Sequence, residues 1–91
     1  MMRERSIDEA KKTAAAMDGV MDEVDLAMQL HGPQRSHHEA YALIAEELDE
    51  NWEQVKLKEA VRDKAAMREE LTQIAAMAVR AIVDLDLLEE T

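Results

Sequence analysis

The sequence predicts an all-α protein, an antiparallel helical bundle of about three helices completed by homo-oligomerisation. Ala, Met, Leu, Glu and Lys dominate, with two Gly, one Pro, one Tyr, one Trp and no Phe, a composition that forms helices and starves strands. Apolar residues recur at steps of three and four in three successive stretches. A chain of 91 residues also buries too little surface for a lone three-helix unit to be more than marginal. Self-association into a dimer or tetramer is the expected remedy.

In the first stretch Ile7, Ala10, Ala14, Met17, Met21, Val24 and Met28 fall on one stripe, which gives a helix over about 6–30. His31-Gly32-Pro33 ends it, with Gly expected as C-terminal cap and Pro unable to continue the ladder. Ser36-His37-His38-Glu39 has the spacing of a capping box and opens a second helix over about 37–59. Its stripe of Tyr41, Ala45, Leu48, Trp52 and Val55, widened by Ile44, is expected to face the core. Glu59 to Lys64 contains neither Gly nor Pro and could continue as helix on propensity alone. A turn is expected there because Asp63 suits an N-cap. Beyond it Met67, Leu71, Ile74, Ala78, Ile82, Leu85 and Leu88 define a third helix over about 64–88. No repeat, low-complexity segment or linker interrupts the chain, so it reads as one domain.

The formal charge of −10 argues against a nucleic-acid polymer as partner, since such affinity comes largely from clustered Lys and Arg. The lack of Cys excludes disulfides and thiolate metal sites and fits a cytoplasmic protein. No apolar run approaches a signal h-region or a membrane span, so neither export nor a membrane partner is expected.

Polar residues form a second pattern. Glu47 and Glu50 project from nearly one face of helix 2, shared with Leu43 and Gln54. Glu70 and Gln73 repeat the spacing on helix 3, and Met77 and Ala81 continue their line. If the two helices pack antiparallel with these faces together, three carboxylates and an amide oxygen converge, the oxygen-rich shell that a hard cation such as Mg²⁺ prefers. The same spacing also occurs in solvated glutamates on acidic helices.

Glu46-Glu47-Leu48-Asp49-Glu50, followed after nineteen residues by Glu70-Leu71-Thr72-Gln73, resembles the EExxE and ExxD pattern of the MazG-like all-α nucleoside triphosphate pyrophosphohydrolases. The likeness covers roughly residues 31 to 86 and includes the order of the capped helix start and the two acidic motifs. It implies Mg²⁺ as cofactor and hydrolysis of a nucleoside triphosphate to the monophosphate and pyrophosphate. By the same resemblance Glu47, Glu50 and Glu70 are metal ligands, with Glu46 beside them as an outer or water-orienting group. Gln73 stands where the pattern has Asp and brings an oxygen without charge. Lys56, Lys58, Arg62, Lys64 and Arg68 lie between the motifs and are candidate phosphate ligands, though each could equally balance Glu53, Glu59 or Asp63. The alternative is a non-catalytic helical interaction or oligomerisation protein that kept the fold without the full metal site. His31, His37 and His38 read as loop and cap residues, Trp52 and Tyr41 as core. Asp84 lies roughly 21 Å along the axis from Glu70, too far to share its ion, and reads as a surface or intersubunit residue.

Overall fold

The computed structural model describes residues 2–88. Helices α1 (Ile7–Leu30), α2 (His37–Val55) and α3 (Lys64–Asp84) account for most of them, a 3₁₀ turn at Glu59–Val61 separates α2 from α3, and no strand occurs among the described residues. The helix ends obey local chemistry. Ser6 and Glu9 form a full capping box at the start of α1, which the S-x-x-E spacing could have disclosed. Arg3, 2.9 Å from Glu9, is the main cause holding that carboxyl below its ordinary pKa, helped by Ser6. At α2 the box is only half made: Ser36 Oγ accepts from the Glu39 N–H at 3.0 Å, while the Glu39 carboxylate accepts from Arg35 N–H instead. Asp63 caps α3 by accepting from Ala66 N–H at 3.0 Å.

Gly32 does not act as the expected left-handed cap, for neither glycine has positive φ; α1 ends because His31 turns extended. Helix α2 stops at Val55, short of 59, because Arg62 donates to the carbonyls of Val55 and Leu57 and the Gln54 amide oxygen accepts from Asp63 N–H. These bonds satisfy the open carbonyls of a helix end. Helix α3 stops at Asp84, short of 88, in a Schellman-type end. Asp86 is left-handed with φ 55°, Leu87 N–H reaches Ile82 O at 2.9 Å, and Asp86 N–H reaches Val83 O at 3.2 Å.

The three helices do not close on one another. Helix α3 packs against both α1 and α2, which make no contact with each other. The bonds from Gln34 to Met77 O and from Asp63 to Gln54 set α2 and α3 antiparallel, whereas Val20 and Val24 against Ala76 and Val79 set α1 and α3 parallel. The link between α1 and α2 therefore crosses the end of α3. It is held there by Arg80 Nη2 donating to Gly32 O at 2.8 Å and by the Gln34 N–H donating to Asp84 Oδ2 at 2.8 Å. Arg80 and Asp84, 3.9 Å apart, are 5% and 10% exposed at the side chain. Asp84 is thus a largely buried tie within the chain, not a solvated surface residue.

Most of the large side chains on the apolar stripes are not buried, Val24 being the exception. Tyr41, Leu48 and Trp52, expected in the core, are 75%, 50% and 55% exposed. The α2 face that meets α3 lies about one residue earlier, through Ala40, Leu43, Glu47, Asn51 and Gln54. Helix α1 buries Val20 and Val24 while Ile7, Met17, Met21 and Met28 stay exposed, and α3 buries Ala76, Arg80 and Ala81 while Leu71 and Ile82, and Leu88 beyond its end, stay exposed. Small side chains allow the close approach; no large side chain among the described residues is fully buried.

The tie across α3 should dominate the stability of this frame. Asp84→Ala leaves a buried guanidinium and an N–H unpaired and is expected to cost about 3 kcal/mol, read as a fall in the urea midpoint. Lys12→Ala, which removes only the exposed pair with Asp8, should change stability by less than about 0.5 kcal/mol.

Candidate functional site

The polar faces of α2 and α3 meet. Gln73 lies opposite Glu47, and with the amide oriented as its partner requires, Gln73 Nε2 donates to the Glu47 carboxylate at 2.8 Å to Oε2 and 3.2 Å to Oε1. In the antiparallel register this pair defines, Glu50 and Asn51 fall opposite Glu70. Glu50 and Glu46 are exposed, Glu47 and Glu70 half-buried.

This crowding acts on Glu47. Burial is the largest influence raising its carboxyl above the ordinary pKa, followed by the charge of Glu50, hydrogen bonding with Glu50, and the charges of Glu46 and Glu70. The Gln73 amide opposes them by donating to the carboxylate. Glu70 Oε1 and Asn51 Oδ1 are buried without a hydrogen-bond partner. Both are acceptor oxygens on the helices that form the α2–α3 seam, and a donor or a cation would relieve either.

The seam opens into a cleft of about 220 Å³ between all three helices, lined by Glu23, Ala27 and His31 of α1 and its end, Glu47 of α2, and Gln73, Ala76, Met77 and Arg80 of α3. Glu23, His31 and Arg80 are not among the residues that the motifs mark out. Arg80 lies seven positions beyond Gln73 and so shares its helix face, which is the signal that could have disclosed it. Glu23 gave no such signal, because only the docking of α1 on α3 brings it here.

The five basic candidates do not line this cleft. Lys56 pairs with Glu53 at 2.9 Å, and Arg62 is spent on the α2 carbonyls. Lys58 is exposed before the 3₁₀ turn. Lys64 and Arg68 border the α1–α3 groove with Ala16 and Met17, a different flank of α3 from Glu70 and Gln73. Two residues of separation, about 200° around the helix, put Arg68 and Glu70 on opposite sides. His37 and His38 are exposed at the start of α2.

Among the described residues no group of three or more Asp, Glu or His side chains is assembled to hold a metal ion. Glu47, Glu50 and Glu70 are neighbours rather than a closed chelate. Their donor chemistry nonetheless suits a hard cation: carboxylate oxygens, one of them unpartnered, with an amide alongside. No helix among the described residues is long and apolar enough to cross a membrane. No family model, curated protein or solved structure matches the chain.

Because the folded state resists ionising Glu47, it holds that proton to higher pH than the unfolded chain does. This contribution to stability is greatest at or below the ordinary glutamate pKa of 4.5 and falls as pH rises through the window above it. Glu47→Gln should therefore raise the melting temperature of the metal-free protein near neutral pH and flatten its decline above the ordinary glutamate pKa. Identical profiles for the two proteins would mean that Glu47 is not under repulsion.

Proposed function

We propose that the chain is a MazG-like, Mg²⁺-dependent nucleotide pyrophosphohydrolase, which hydrolyses a nucleoside triphosphate to the monophosphate and pyrophosphate as a cytoplasmic homodimer or homotetramer. The observation that carries this reading is the meeting of Glu47, Glu50 and Glu70 across the α2–α3 seam, where Glu47 resists ionisation and a Glu70 oxygen lacks a partner. Carboxylates gathered without a cationic side chain repel one another, and a divalent cation is the simplest group that makes such a cluster favourable.

Glu47, Glu50 and Glu70 would hold the ion. When bound, Mg²⁺ supplies charge to offset the phosphates and helps activate the attacking water. Gln73 fixes the direction of the Glu47 carboxylate through its N–H donation and adds no negative charge. Glu46, exposed beside the cluster, would orient water from outside the ion's own ligands. Homo-oligomerisation is supported by the outward stripes, since Met17, Met21, Trp52 and Leu71 are apolar surface of a kind that proteins rarely leave uncovered.

One observation favours a second reading, a non-catalytic interaction protein. The Gln73 amide already satisfies Glu47 in part, so the fold tolerates its acidic seam without a metal. Activity separates the two. A panel of canonical and modified nucleoside triphosphates with Mg²⁺ should yield pyrophosphate from at least one member. Glu47→Gln, Glu50→Gln and Glu70→Gln should each cut that release by at least about 100-fold, beyond the usual effect of an outer-shell change. Gln73→Asp should strengthen Mg²⁺ binding by restoring a charge. A folded protein that releases pyrophosphate from none of them is the interaction protein. Light scattering should give a dimer or tetramer at micromolar concentration, and a monodisperse monomer would refute the assembly.

A further inference from the structure

The flank of α3 turned away from the carboxylate seam is apolar in its middle and oppositely charged at its ends. Lys64, Arg68, Leu71, Ala75, Ala78 and Ile82 follow one another at alternating steps of four and three, the spacing of a heptad seam. Leu71 and Ile82 are 51% and 42% exposed, with Ala75 and Ala78 half-buried between them. The first four of the six also border a groove of about 580 Å³, whose facing wall is Met17 of α1. Lys64 and Arg68 are exposed and enter no ion pair among the described residues. At the far end the chain turns at the exposed Asp86, and the sequence goes on to Glu89 and Glu90.

A helix that runs base, apolar, acid is complementary to itself when reversed. Laid antiparallel on a second copy with Ala75 opposite the partner's Ala78, α3 sets Leu71 opposite the partner's Ile82. The same register brings Arg68 to the turn that carries the partner's Asp86, with Lys64 one helical turn further toward the acidic end of the sequence. The alanines at the middle let the two backbones approach closely. A parallel pairing would set Lys64 and Arg68 against their own copies and be opposed by charge. The second half of α1 carries Asp18, Asp22, Glu23 and Asp25 with no Lys or Arg, so α1 laid on its own copy is opposed as well and the contact centres on α3. An anionic membrane surface is a poor occupant for a chain of net charge −10.

We propose that this flank of α3 is a two-fold docking surface for the α3 of a second copy, antiparallel, with the basic start of each helix against the acidic end of the other. The inference rests on the association of copies proposed above and adds its face, direction and register. It does not depend on the hydrolytic reading, because Glu70 and Gln73 lie on a different flank of α3 and the carboxylate cleft stays open in the pair.

The chain has no cysteine, so disulfides form only between introduced positions. Leu71→Cys and Ile82→Cys are prepared as separate full-length proteins. In the proposed register each cysteine lies about 16 Å along the axis from its own copy, beyond disulfide reach, whereas the two different variants face one another. Mixed one to one and oxidised, they should give at least about tenfold more covalent dimer than either variant oxidised alone. Lys64→Glu combined with Arg68→Glu, with helix content checked by circular dichroism, should raise the dimer dissociation constant at least about tenfold in sedimentation. Trp52→Ala, on the exposed side of α2, should leave that constant unchanged. A wild type that dimerises while the mixture fails to cross-link, or while Leu71→Cys alone cross-links as well as the mixture, overturns this face and keeps the association of copies. A dissociation constant moved by Trp52→Ala and not by the charge reversal has the same meaning. A wild type that stays monomeric at micromolar concentration overturns the face and the assembly together, and pyrophosphate release still judges the hydrolytic reading.

Discussion

The connection from α1 to α2 must pass over the end of α3, and its attachment there governs the rest of the molecule. Helices α1 and α2 share no contact, so nothing sets their relative placement except α3 and the tie at its C-terminal end. That tie is polar: Arg80 holds Gly32 O, Asp84 holds the Gln34 N–H, and the Gln34 side chain reaches Met77 O at 3.3 Å. Gln34 is 2% exposed, which puts these bonds out of competition with water. Removing one member of a buried group of this kind is costly, because it leaves the others unpaired away from water.

With the link so placed, the separation of α1 and α2 leaves a groove above α3 instead of a closed core. Its floor is made of small residues, Ala76 foremost, and its sides carry Glu23 and Glu47. Polar side chains in such a position keep partial access to water, and Glu47, half-buried there, resists ionisation. The Gln73 amide is the local compensation. An aspartate there would add a fourth carboxylate and more repulsion to the seam; the amide avoids that charge and donates to Glu47.

The choice of small residues for the helix contacts has an outward consequence. Helix packing within the chain uses positions about one residue away from Met17, Met21, Leu48 and Trp52, so these side chains face away from the chain's own core. The core of Val20, Val24 and Ala76 is slender for the length of three helices. Met17, Met21 and Met28, spaced by four and seven residues, leave an exposed apolar line along α1.

Local chemistry was legible in the sequence because its causes lie within a few residues. Composition and periodicity specify helices, Ser36 and Asp63 cap the starts of α2 and α3, and the turn before α3 forms at a segment without Gly or Pro because Asp63 and Arg62 satisfy the two helix ends. The facing of Glu47 and Gln73 was legible too, as two polar lines of equal spacing on adjacent helices. Which stripe is buried was not. Periodicity finds the most apolar line, whereas packing selects the line that lets backbones approach, and only the tertiary structure weighs the two. The burial of Asp84 and Arg80 and the arrival of Glu23 at the cleft depend on residues about 50 positions apart, since Gln34 and Asp84 are separated by 50 and Gly32 and Arg80 by 48. No local rule carries that information; the path of one short link over the end of α3 does.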